Sequence, residues 1–138
     1  MLLINEKFAF EVPSFNKSDF RFERIPSTKD HLPTGKFHGK VFVCTGSSCF
    51  SLNNSKWEAE AGMFEPRTGA GSSSDYDRWI VTGGLGYQDN ETMLTSTEIF
   101  TGGNWTNGTS LPWHLEYHCQ IRIKIENKFR IIIIGEHI

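Results

Sequence analysis

No apolar run in this 138-residue chain approaches the roughly 20 residues that a membrane-spanning helix requires. The opening Met1-Leu2-Leu3-Ile4 is stopped by Asn5-Glu6-Lys7. That is too early for the apolar core of about 7–15 residues that marks a secretory signal peptide, so the sequence shows no address. An excess of one charge is also lacking. Fourteen Lys and Arg stand against 16 Asp and Glu, giving a net charge of -2 and a pI near 6.2. This excludes the electrostatic footprint of a nucleic-acid or anionic-membrane binder. Arg122, Lys124, Lys128 and Arg130 are interrupted by Ile and Phe and read as polar positions on half-buried strands. Cysteine is scarce, at three residues, and no long helical stripe occurs.

What is present is glycine and aromatic residue: 13 Gly, 11 Phe and four Trp. With no helical periodicity, that composition points to an all-β protein with many turns. The clearest strand is Arg78-Trp79-Ile80-Val81-Thr82, ended by Gly83-Gly84. It is too short and too β-branched for a helix, and it stops where glycine alone is at ease with positive φ. Ser96-Thr97-Glu98-Ile99-Phe100, Asn104-Trp105-Thr106 and a Leu111-Pro112 exit follow at strand-like spacing. A weaker copy precedes them. Gly39 to Gly46 gives a glycine-ended strand, Cys49-Phe50-Ser51-Leu52 a third, Lys56-Trp57-Glu58 a fourth, and Met63 to Arg67 an exit. Trp57 and Trp105 lie 48 residues apart, as do Met63 and Leu111, whereas Gly46 to Gly83 is 37 and Gly84 to Gly135 is 51. Strands keep step while loops vary, which is the signature of a repeat architecture.

The layout resembles the kelch repeat, whose four antiparallel strands form one blade of a β-propeller. The residues that carry the resemblance are Gly46, Trp57, Gly83, Gly84, Trp105 and Gly135. The expected fold is all-β, a kelch-type propeller fragment of four-stranded antiparallel blades. Residues 35–66 would form the first blade, 67–112 the second and 113–138 part of a third. Residues 1–34 would be a poorly specified leader or the remnant of an earlier blade, with Phe8–Val12 and Phe20–Arg24 alternating as strands do. Arg67 to Ser72 would be the innermost strand of the second blade, and Trp57 and Trp105 would cap the layer between blades. A propeller has about 4–8 blades, so further blades or an oligomer would be needed to complete the ring.

Candidate sites are few. Cys44 ends one strand and Cys49 begins the next, so a disulfide can join them if their side chains share a face; otherwise both are buried thiols. Cys119 is the odd one, either a small buried hydrophobe or half of another bridge. Asn53, Asn90 and Asn107 open Asn-x-Ser/Thr sequons in expected loops, as glycan acceptors or plain turn residues. Asn16 opens a fourth in the leader, and a fifth at Asn104 abuts the tryptophan. His114, Glu116 and His118 alternate and would point one way on a strand, but no second cluster completes a metal site. Galactose oxidase shares the kelch architecture, yet Tyr76, Tyr87 and Tyr117 sit in no motif matching its copper site. Ser72–Ser74 lacks the elbow of a serine nucleophile.

The expected function is therefore non-enzymatic, with no cofactor, metal or catalytic residue. The resemblance implies a protein-protein interaction module that uses the propeller loops in an extracellular, secreted setting. The alternative is an intracellular kelch substrate adaptor for a cullin ubiquitin ligase, and a propeller enzyme of galactose-oxidase type ranks behind both.

Overall fold

The computed structural model describes residues 31–87 and 92–135 in full, and the backbone of strands at 2–4, 8–11 and 21–24. The described residues contain strands and turns and no helix. In chain order the strands are β1 (Leu2–Ile4), β2 (Phe8–Glu11), β3 (Arg21–Arg24), β4 (Thr34–Phe37), β5 (Lys40–Thr45), β6 (Ser48–Asn53) and β7 (Lys56–Glu60). They continue as β8 (Arg67–Thr68), β9 (Gly71–Ser74), β10 (Trp79–Thr82), β11 (Leu85–Gly86), β12 (Thr97–Phe100), β13 (Trp105–Asn107), β14 (Cys119–Ile125) and β15 (Lys128–Ile134).

Two antiparallel four-stranded blades dominate: β4-β5-β6-β7, and β9-β10-β12-β13. β14 and β15 form a hairpin, β1-β2-β3 a three-stranded sheet, and β8 and β11 a small separate pair. Within each blade every strand pairs with its sequence neighbour in the sheet, a meander from inside to outside. Tight turns set the register. His38-Gly39 (φ 45° and 77°), Asn54-Ser55 (45° and 66°) and Glu126-Asn127 (47° and 61°) each place two left-handed residues between strands. Such paired left-handed residues match the right-handed twist of the strands they join.

The innermost strand of the second blade starts later than its sequence suggests. Gly69 is left-handed (φ 61°) and breaks the run, so Arg67–Thr68 pairs with Leu85–Gly86. The inner strand itself is Gly71–Ser74, paired to β10.

The period-2 alternation of β5 shows how the blades stack. Phe42 and Cys44 face the second blade, joining Phe37 and Cys49, and meet Trp79, Val81, Phe100 and Trp105. The rings interlock at tilted or edge-on angles, with Trp79 and Trp105 centroids 5.1 Å apart and Phe100 and Trp105 5.3 Å apart. Tilted aromatic pairs of this kind add about 0.5–1.5 kcal/mol each beyond the area they bury. Trp105 closes the layer, and its Nε1 donates to the Ala61 carbonyl at 2.8 Å. Trp57, expected in the same role, lies on the opposite face of the first blade, with Val43, Leu32 and Phe50. Trp105 is on the face of the second blade turned toward the first, whereas Trp57 is on the face of the first blade turned away from the second. One therefore fills the layer between the two described blades, and the other does not.

Gly35 explains how closely the blades approach near the axis. A Cβ there would overlap the Trp79 indole, so the second blade lies directly on the backbone of β4. The Trp79 Nε1 donates to the Ser72 hydroxyl at 2.6 Å, and that hydroxyl donates to the Thr34 carbonyl.

Candidate interaction surface and central groove

A meander gives each blade two kinds of end. Turns from the first strand to the second, and from the third to the fourth, lie at one end. Connections from the second to the third, and from the outermost strand to the next blade, lie at the other. The connecting end is braced by a relay of main-chain bonds. The Gly69 N–H donates to the His31 carbonyl at 3.0 Å, and the Tyr117 N–H donates to the Gly69 carbonyl at 2.7 Å. Each of the three residues stands shortly before an inner strand, and each is left-handed, with φ of 53°, 61° and 51°. The Tyr117 ring packs against Gly69 and meets the His31 imidazole edge-on at 5.0 Å.

Below this relay lies a buried ion pair. The Arg67 Nη2 donates to the Glu98 Oε1 at 2.9 Å, with the side chains 0% and 1% exposed. Arg67 also donates to the carbonyls of Gly83 (3.1 Å) and Ser96 (2.9 Å), and to the Ser96 hydroxyl (3.1 Å). Glu98 accepts the amides of Phe64 (2.8 Å) and Glu65 (2.9 Å). Desolvating two charges costs several kcal/mol, and only such full satisfaction offsets it. The pair thus clamps the connection between blades to the glycine turn and the third strand.

That clamped end presents aromatic residues to water. Phe64, Trp113 and Tyr117 are 63%, 55% and 59% exposed, and all three lie in the connections that lead from one blade to the next. At the opposite end Tyr76 is 76% exposed, in the turn between β9 and β10. Rigid, half-exposed aromatics on a fixed scaffold are the residues that anchor protein interfaces.

The inner strands β4, β9 and β14 run side by side and line a groove of about 910 Å³. Its polar groups include Lys36, His38, Ser74, Tyr76, Gln120 and Arg122. Asp75 is tied to Arg78 on its rim. Burial alone would push its carboxyl up, but hydrogen bonds from the Arg78 side chain and the Asp77 amide outweigh it and hold it below the usual carboxylate range.

Cys44 and Cys49 are directly opposite in the β5–β6 register, with Cα atoms 4.0 Å apart, and form a disulfide buried in the layer between the blades. Cys119 is exposed and free, so it is not the buried hydrophobe its strand position suggests. Asn107 is exposed at the end of β13. Asn53 is half-buried, and its amide donates to Glu58 at 3.1 Å. Asn90 lies outside the described residues. His114, Glu116 and His118 do not align. No strand runs through 114–118, Leu115 and His118 are buried and His114 is exposed. No group of three or more His, Cys, Asp or Glu that could hold a metal occurs among the described residues.

Gly83 (φ 59°) and Gly84 (φ 89°) end β10 as the sequence suggests, with Gly84 donating to the Leu115 carbonyl at 2.7 Å. Gly46 (φ 73°) is the matching terminator of β5 and bridges to Arg67. Gly135 follows β15 and lies against His118. The Arg67–Glu98 pair escaped sequence reading. Its only trace was an acid on the third strand and a basic residue 31 positions earlier.

Two comparisons are empty: no protein-family profile matches the sequence, and no curated protein does. Solved structures do match. One, titled "Structure of YjhT", has 17% sequence identity and a TM-score of 0.67. The likeness covers 94% of this chain and 48% of that one, so this chain spans about half that protein's length. At this identity the likeness speaks to fold alone. The class is an all-β propeller built of four-stranded antiparallel blades. Among the described residues, no helix is long and apolar enough to cross a membrane.

Proposed function

We propose that this chain belongs to a kelch-type β-propeller that binds another protein through the end carrying Phe64 and Trp113. The kelch reading is supported by where its motif residues fall. Gly83-Gly84 ends a second strand, Glu98-x-Phe100 lies on a third, Trp105 on a fourth, and Leu111-Pro112 leaves the blade. The observation that carries the binding role is the contrast between a locked backbone and exposed aromatics at one end. Large apolar surface held rigid in water marks an interaction site. The disulfide supports an oxidising, extracellular setting for that work, because cytosolic thiols are kept reduced. The exposed thiol of Cys119 favours the second reading, an intracellular adaptor that presents substrates to a ubiquitin ligase.

The test is affinity capture with the chain as bait. Phe64→Ser with Trp113→Ser alters the connecting end, and Tyr76→Ser alters the turn end. The expected outcome is a protein retained by wild type and Tyr76→Ser but lost by the double variant, with all three baits melting alike. Equal retention by all three would overturn the assignment of the binding end.

A further inference from the structure

His118 sits in a slot between the second blade and the β14–β15 hairpin, and glycines make the slot. A Cβ at Gly71 would overlap its ring, one at Gly83 would stand 3.2 Å from Cε1, and one at Gly135 would stand 2.8 Å from its Cβ. The hydrogen bonds here have a fixed direction. Gln120 Nε2 donates to the Ser73 hydroxyl at 2.7 Å and the Ile80 carbonyl at 3.1 Å, so its Oε1 faces Thr82. The Thr82 hydroxyl donates to that oxygen at 2.6 Å. A hydroxyl has one hydrogen, so at 2.8 Å Thr82 Oγ1 must accept from His118 Nε2–H. Nδ1 is therefore the bare nitrogen. It is buried and has no hydrogen-bond partner among the described residues.

We propose that this seam is an acid-sensitive joint, opened when a solvent proton binds Nδ1 of His118. In the closed seam that proton would meet no acceptor among the described residues. Among the described residues, the groups placed at the slot are neutral: Gly71 and Ser73 of β9, Ile80 and Thr82 of β10, the Gly83-Gly84 turn, Leu115, Gln120 and Gly135. The charged groups on these elements do not rescue it. Arg67 is bonded to the Gly83 carbonyl, and Arg122 and Lys124 lie further along β14, with Lys128 and Arg130 on β15 opposite Ile125 and Ile123; all are cationic. Arg78 and Asp75 bind each other where β9 turns into β10. Glu116 precedes the seam without bonding the ring.

Burial pushes the imidazole below its ordinary value, in the same direction. The sign follows. An opened seam takes up a proton near pH 6.5 and the closed seam does not, so the joint holds above about 6.5. Below that, the opening equilibrium grows by up to about tenfold per pH unit, until the closed form also binds a proton.

Hydrogen exchange of the 138-residue chain between pH 7.5 and 5.5, corrected for intrinsic rates, tests this. Peptides covering Cys119–Ile134 should lose protection by about tenfold per pH unit below 6.5, while Lys40–Glu60 holds. His118→Gln should make the hairpin's protection flat with pH. Parallel loss in both regions, or unchanged pH dependence in His118→Gln, would overturn the proposal. If that variant does not fold, ring nitrogen shifts of wild-type His118 decide. A bare Nδ1 and protonated Nε2 in the closed state support the joint, and the reverse tautomer or a charged ring contradicts it.

Discussion

Arg67 and Glu98 lie 2.9 Å apart with both side chains withdrawn from water, one just before the inner strand and the other on the third strand of one blade. The pair converts a loop, the Met63–Pro66 connection, into a fixed part of the scaffold, because Glu98 also holds that loop's amides.

Removing one partner should be costly. Arg67→Met leaves a buried carboxylate uncompensated, at about 3–5 kcal/mol. Glu98→Gln should cost less, since its amide oxygen can still accept a loop N–H. The double variant should be less unstable than the sum of the singles, with a coupling above about 1 kcal/mol in a urea double-mutant cycle.

Glycine positions should separate strain from crowding. Gly83 has φ 59°, and a Cβ there would stand 2.5 Å from the Leu115 carbonyl, so Gly83→Val should cost at least about 1–3 kcal/mol. Gly39 has φ 77° but open space, so Gly39→Ala should cost only the strain, about 1 kcal/mol. Gly103 has neither restriction, so Gly103→Ala should stay within about 0.5 kcal/mol. Thermal melts of the three variants check the order.

Non-reducing peptide mapping of protein from a secreting eukaryotic host should find Cys44 linked to Cys49 and Cys119 open to alkylation. The closed loop is short, so its constraint on the unfolded chain is modest. Both sulfurs are buried among Phe42, Trp79 and Phe100, however, so Cys44→Ala with Cys49→Ala also opens a void. The combined loss should be about 2–4 kcal/mol. In the same protein, Asn107 should carry glycan more fully than Asn53, whose amide is already engaged by Glu58.

Acid should act on the groove rim as well. Asp75 is held below its ordinary value when folded, so its stabilising contribution is complete above about pH 3.9 and is lost as pH falls through the folded value. Half of the Arg78 side chain is exposed, which screens the pair and limits the effect to at most about 1 kcal/mol. Asp75→Asn should flatten this part of an acid titration of the melting temperature, leaving any His118-dependent change that begins as pH falls below about 6.5.

Much of the fold was legible because strand alternation and glycine punctuation are local. Trp79–Thr82 with Gly83-Gly84, Thr97–Phe100 and Trp105–Asn107 all lie where pattern places them. The Cys44–Cys49 bridge was legible for the same reason, since a short hairpin puts its own ends opposite each other. What failed depended on contacts across blades. Nothing local tells that Trp57 and Trp105 belong to different layers, or that Gly69 interrupts the expected inner strand. His31 and Tyr117 repeat the left-handed turn of Gly69 without a glycine to announce it. His118 looked like one member of a polar trio, and the glycines that make its slot come from three separate stretches of chain.

The most direct test of the interaction role is hydroxyl-radical footprinting of the chain, free and bound to the protein it captures. The account predicts protection of Phe64, Trp113 and Tyr117 in the complex, with Tyr76 equally reactive in both. Protection of Tyr76 alone, with the other three unchanged, would contradict it.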